Sequence, residues 1–203
     1  MQKHNSCKAI LLIVMGLVGN AMTVGIAGSV SALTYQSQVS PEFTINESIS
    51  ITLSSADIAI SGLAIGQSKA SDAVDITVLT NNDSGYVLTS TSGDGNTYTN
   101  TNLVNSADSD ENFTSLATTA SVADPDDFNP GEWGYSFSTD SQTTWSDYSG
   151  LPYYGNTGAT LMDKDSQSAS DGDVVNFRIA AKATDTQAAG TYNNVVNFAV
   201  VGK

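Results

Sequence analysis

Val74-Asp75-Ile76-Thr77-Val78-Leu79-Thr80 alternates apolar and polar side chains, Asn81-Asn82-Asp83-Ser84-Gly85 interrupts it, and Tyr86-Val87-Leu88-Thr89-Ser90 resumes it. Period two places one set of side chains on one face of a strand, and β-branched and aromatic residues suit that pleated surface. The Asn/Asp/Ser/Gly interruption is turn chemistry, so residues 74–91 read as a hairpin. The same pattern extends in both directions. Phe43, Ile45, Ile49, Ile51 and Leu53 alternate upstream, and Ile58-Ala59-Ile60 follows a Ser-Ser-Ala-Asp turn. Downstream, Trp133, Tyr135 and Phe137 share one face of a strand, and Val175, Phe177, Ile179 and Val195, Asn197, Ala199 mark two more around Ala188-Ala189-Gly190. No stretch after residue 32 sustains a helical period. The expected fold is all-β: an antiparallel β-sandwich of Ig-like type. Residues 93–130 interrupt the regularity, being rich in Asp, Asn, Ser and Thr around a few apolar anchors (Leu103, Val104, Phe113, Leu116, Val122). They predict a long acidic excursion with short strands or a helical turn.

Residues 1–32 have the form of a secretory signal. Lys3 and Lys8 precede the uncharged run Ala9 to Ala27, and Val30-Ser31-Ala32 puts small residues at −3 and −1. The rival reading is an uncleaved N-terminal anchor, since about 20 apolar residues span a bilayer. Either way residues 33–203 form one domain outside the cytoplasm, secreted or at the cell surface, and membrane contact is confined to the N-terminal segment. Cleavage after Ala32 removes His4 and Cys7, the only histidine and cysteine, and Lys3 and Lys8 with them, taking the formal charge from −14 to −16. A surface so acidic excludes nucleic acid as a partner. Without imidazole or thiol, nucleophilic catalysis lacks its usual base, and no enzyme is expected. A carboxylate-based glycosidase is the remote alternative, with Glu132 as its acid.

Seven of the chain's 16 aromatic residues fall between Trp133 and Tyr154. Trp133, Tyr135 and Phe137 alternate as core residues do. Trp145, Tyr148, Tyr153 and Tyr154 sit among Ser, Asp, Gly and Pro, where exposed rings can stack on sugars or enter a partner's pocket. Asp163, Asp165, Asp171 and Asp173 are the candidate calcium ligands, as oxygen donors in turns, though without EF-hand spacing; otherwise no cofactor is expected. Lys69 or Lys182 could donate to a Lys–Asn or Lys–Asp crosslink. Leu151-Pro152-Tyr153-Tyr154-Gly155 has the outline of a sortase signal, but it is internal and has Tyr154 for Thr, so it reads as a turn.

Two segments together resemble the WxL-type surface domains of bacterial cell walls. Asp75 to Thr80, a polar turn and Gly85-Tyr86-Val87-Leu88-Thr89 are similar to that family's strand-turn-strand, with Tyr86 in the Trp position and Leu88 as the motif leucine. Gln187-Ala188-Ala189-Gly190-Thr191-Tyr192, followed by Val195-Val196-Asn197-Phe198, is similar to its second block. The resemblance implies non-covalent association with cell-wall polymer or a surface protein, without catalysis. Independently of it, Gly190 is expected to make a tight turn, Tyr192 to anchor the last strand, and Phe198 to point inward. The alternative function is a structural subunit of a pilin-like appendage or coat, with an exposed edge strand.

Overall fold

The computed structural model describes residues 42–203; the predicted export signal and its cleavage point lie outside the described residues. Thr44–Lys203 forms one compact unit. Its strands are β1 (Ile49–Leu53), β2 (Ser68–Ala70), β3 (Val74–Thr80), β4 (Tyr86–Ser92), β5 (Leu103–Asn105) and β6 (Asn112–Ser115). After a 3-10 turn (Pro125–Asp127) come β7 (Glu132–Ser138), β8 (Ala159–Lys164), β9 (Asp173–Lys182), β10 (Tyr192–Asn193) and β11 (Val196–Gly202). The larger sheet runs β1-β3-β9-β7-β6-β5-β10, with β2 also on β9, and the smaller runs β11-β4-β8. The fold is therefore all-β.

Both sheets contribute to one core. Ile76 and Val78 of β3 and Val175, Phe177 and Ile179 of β9 meet Tyr86 and Leu88 of β4 and Leu161 of β8. Tyr135 stacks on Phe177 at 5.4 Å between ring centres, and Phe198 of β11 stands edge-on to Phe177 at 5.1 Å.

The expected 74–91 hairpin is corrected. Both strands form, but β3 pairs with β1 and β9 while β4 pairs with β11 and β8. Asn81–Gly85 carries the chain from one sheet to the other, so the apolar faces of β3 and β4 oppose each other across the core. The turn itself is built as its residues suggest: Ser84 N–H donates to Asn82 Oδ1 at 2.8 Å, and Gly85 N–H to the Asn82 carbonyl at 3.0 Å. Gly85 has φ +92°, and a Cβ there would lie 1.9 Å from the Lys164 carbonyl oxygen. Ile58-Ala59-Ile60 forms no strand; it crosses the edge of the core as an irregular segment.

The sheets are not purely antiparallel, a second correction. β6 runs parallel to β7, pairing Thr114 with Glu132 and Ser115 with Trp133. A parallel pair needs a crossover of about a dozen residues or more, and Leu116 to Gly131 supplies it. This return leg packs Leu116 and Phe128 with Tyr148 and Ala180 on the outer face of the larger sheet. The middle of β7 and β9 is consequently buried on both faces. The acidic excursion is thus tied down by its apolar anchors, with two short strands and a 3-10 turn as expected.

Candidate functional site

The four aromatic candidates are not brought together. Tyr148 is 1% exposed, its ring edge-on to Phe128 at 5.4 Å; burial pushes its phenol up. An aromatic at this position lies under the crossover and closes the second core, which corrects the expectation of an exposed ring. Trp145 is half-buried, its ring 3.9 Å from the guanidinium carbon of Arg178. Tyr153 is half-buried against Gly93, where a Cβ would fall 2.6 Å from its ring. Tyr154, 51% exposed, is the only one with an open face. Leu151 to Gly155 makes a turn, with Gly155 at φ +88°.

Tyr86 and Leu88 are fully buried. The Tyr86 hydroxyl donates to Asp173 Oδ2 at 2.7 Å, and Asp173 receives both contacts of the Lys164 ammonium at 2.8 Å. Burial first, and then the Asp173 carboxylate, push the Tyr86 phenol up. Burial raises the Asp173 carboxyl, but Lys164 and the Tyr86 hydroxyl outweigh it and hold it below its ordinary value. Tyr192 belongs to β10 rather than the last strand; its hydroxyl donates to the Ala188 carbonyl at 2.8 Å. Gly190 lies in a bend without a positive φ, where a Cβ would fall 2.5 Å from Asn105 Nδ2.

The calcium candidates are divided among lysines. Lys203 bridges Asp163 and Asp165, Lys164 holds Asp173, and Asp171 is exposed. Among the described residues no three metal-ligating side chains cluster. Lys69 and Lys182 donate to the backbone carbonyls of Ser61 and Asp126, at 2.7 and 2.6 Å, and not to the side chains a crosslink would need. Glu132 accepts from Asn129 N–H at 2.9 Å and Asn129 Nδ2 at 3.1 Å, closing a turn.

A concavity lies beside the core, walled by the segment Ile58–Ile65, by β7 and β9, by the segment Gln187–Asn194 and by Val196 of β11. It measures about 480 Å³, within the ~300–1,000 Å³ of ligand pockets. Phe113, Trp133 and Ile179 form its floor, and Ile58, Ile60 and Leu63 stand over it. No charged residue lines it. The floor side chains are nearly inaccessible, so this is a space beneath a lid rather than an open bowl. The lid runs from Ile58 to Ile65 without a ladder of its own. Trp133 is fixed there by its indole N–H, which donates to the Thr101 carbonyl at 3.0 Å.

No protein-family model, curated protein or solved structure matches this chain.

Sequence reasoning missed the cavity because Ile58-Ala59-Ile60 reads as a strand when its neighbours are unknown. It also passed over Arg178. The available signal there was composition: it is the only arginine.

Proposed function

We propose that this chain is a non-catalytic, exported recognition domain of the bacterial cell surface, an Ig-like sandwich of the WxL-like kind. Its site is the cavity under Ile58–Ile65, and its occupant is an uncharged apolar segment of a surface partner. The observation that carries this reading is chemical contrast. In a chain with 21 acidic residues, a 480 Å³ space has no charge in its lining. Apolar burial drives association there, while Gln187, Thr191, Asn193 and Asn194, which also line the space, can hydrogen-bond the occupant's backbone. Export rests on the N-terminal sequence, and the absence of catalysis on the lack of histidine and cysteine beyond residue 32. A sugar-stacking platform is less favoured, because three of the four candidate rings pack against the protein itself.

The test uses Trp133 as the reporter, in a Trp145→Phe background so that it is the sole tryptophan. A naphthalene-sulfonate dye should bind saturably and accept energy from tryptophan. Ala189→Phe, at the exposed rim, should weaken dye binding and retention on isolated cell walls together. If the variant binds dye and wall as the parent does, the cavity is not the site.

A second reading, a structural subunit, is favoured by β1. It ends the larger sheet as Ile-Ser-Ile-Thr-Leu, uncharged and without proline, with Ile49 38% and Leu53 40% exposed. Edges of this kind recruit further strands unless guarded. Concentration-dependent oligomers abolished by Ser50→Lys would support it, and a monomer at all concentrations would remove it.

A further inference from the structure

Arg178 stands on the outer face of β9, opposite Ser136 of β7. Its neighbours Phe177 and Ile179 point the other way, into the core. The Trp145 ring covers the guanidinium at 3.9 Å, and the Tyr148 ring lies 5.2 Å away. Stacking occupies a face of the planar group and leaves its donor-bearing edge for an acceptor. None is supplied among the described residues. Nε is buried without a hydrogen-bond partner, and Arg178 is in none of the ion pairs among the described residues.

The acids that flank Trp145 in sequence, and Asp124 near Tyr148, accept from other donors. Asp140, in the loop that carries Trp145, accepts from Ser138 Oγ at 2.7 Å and Thr144 N–H at 2.8 Å. Asp147 accepts from Ser121 Oγ, and Asp124 from Asp126 N–H at 3.0 Å. Two more polar atoms in the same layer lack partners: the Tyr148 hydroxyl and Asn176 Oδ1, each on a residue at most 4% exposed. The loop itself is strained, since Ser141 and Gln142 adopt φ of +59° and +67° without being glycine. It is nevertheless clamped. Ser146 N–H donates to the Phe137 carbonyl at 2.8 Å, and Ser136 Oγ to the Ser146 carbonyl at 2.7 Å. Strain is thus retained in a clamped loop that lays an aromatic ring over the cation.

We propose that Arg178, backed by Trp145, is a receptor for an oxyanion, the carboxylate or phosphate group of an anionic partner. The half-buried guanidinium presents its outer N–H groups to two oxygens, and the tryptophan ring excludes water from its covered face. This site is separate from the cavity, which opens on the inner face through Ile179 and Ala181. Each can therefore fail without the other.

Because Arg178 is the only arginine, one side-chain N–H signal in a nitrogen-15 correlation spectrum reports it without ambiguity. The full chain is titrated with inorganic phosphate, with acetate, and with chloride at matched ionic strength. A saturable shift with phosphate alone assigns a phosphate ligand, with acetate alone a carboxylate, and with both a general oxyanion site. A shift no larger than chloride produces overturns the proposal. Arg178→Lys keeps the charge but loses the fork, and should weaken the oxyanion by about tenfold or more. Trp145→Ala should weaken it as well, which the intensity of the remaining Trp133 and the amide spectrum of the folded variant allow to be read separately from unfolding.

Discussion

Replacing Tyr86 by Phe removes the hydroxyl contact that joins the two sheets. The ring remains in the core and only the hydroxyl is lost. That hydroxyl is a donor to a carboxylate at 2.7 Å, in a side chain only 13% exposed. Hydrogen bonds to charged groups contribute about 1.5–3 kcal/mol, and the hydroxyl's own desolvation offsets part, so a loss of about 2 kcal/mol is expected. In a domain of this size about 1 kcal/mol corresponds to roughly 2–4 °C, which puts the fall in Tm at about 4–8 °C at neutral pH. Acid gives a second readout. The Asp173 carboxyl is depressed in the folded state, so its stabilisation is present above the unfolded value of about 3.9 and is lost as pH falls through the folded value. With the hydroxyl gone the depression shrinks, so Y86F should lose less stability than the parent between about pH 5 and pH 2. Thermal melts across that range, with urea titrations at pH 7, make the measurement. A Y86F protein within about 0.5 kcal/mol of the parent at pH 7, with an unchanged acid slope, would refute the reasoning, since surface substitutions fall in that band. A double-mutant cycle with Lys164→Met should show coupling above about 0.5 kcal/mol, because both partners share one carboxylate.

Gly150→Ala puts a Cβ 1.7 Å from the Leu116 carbonyl oxygen, so the crossover must shift; a loss above about 3 kcal/mol is expected in urea unfolding, beyond ordinary overpacking. Leu151→Ala empties a fully buried core position and should cost about 2–5 kcal/mol by the same measurement. Ser141→Gly relieves a positive φ and should raise stability by about 1 kcal/mol, visible as a higher Tm. The Asp140 carboxyl, held at about 2 by Ser138 Oγ and the Thr144 amide, should titrate there in a carbon-13 series. Its contribution is present above the unfolded value of about 3.9 and disappears as pH approaches 2, and a midpoint at the ordinary value would contradict the loop geometry.

The alternation in residues 74–90 determines that these residues are strands, and which side chains face inward. It determines this because pleat geometry depends only on local backbone. The Asn81–Gly85 turn is equally local: its hydrogen bonds run between residues two or three apart. Composition alone likewise withholds histidine and cysteine from everything beyond residue 32. Partner choice is a different matter. A strand in a hairpin and a strand crossing to the opposite sheet have the same period, so the sequence could not distinguish them; the decision belongs to β9, which takes Val74–Val78 as its neighbour from nearly a hundred residues away. The same non-local packing decides that Tyr148 is core while Tyr154 is surface, since the crossover that carries Phe128 covers only the former. It also places Trp145 over Arg178 and leaves the apolar cavity beneath Ile58–Ile65. Local sequence specifies strands and faces; which face meets which, and what space remains between them, is decided only when distant segments compete for the same core.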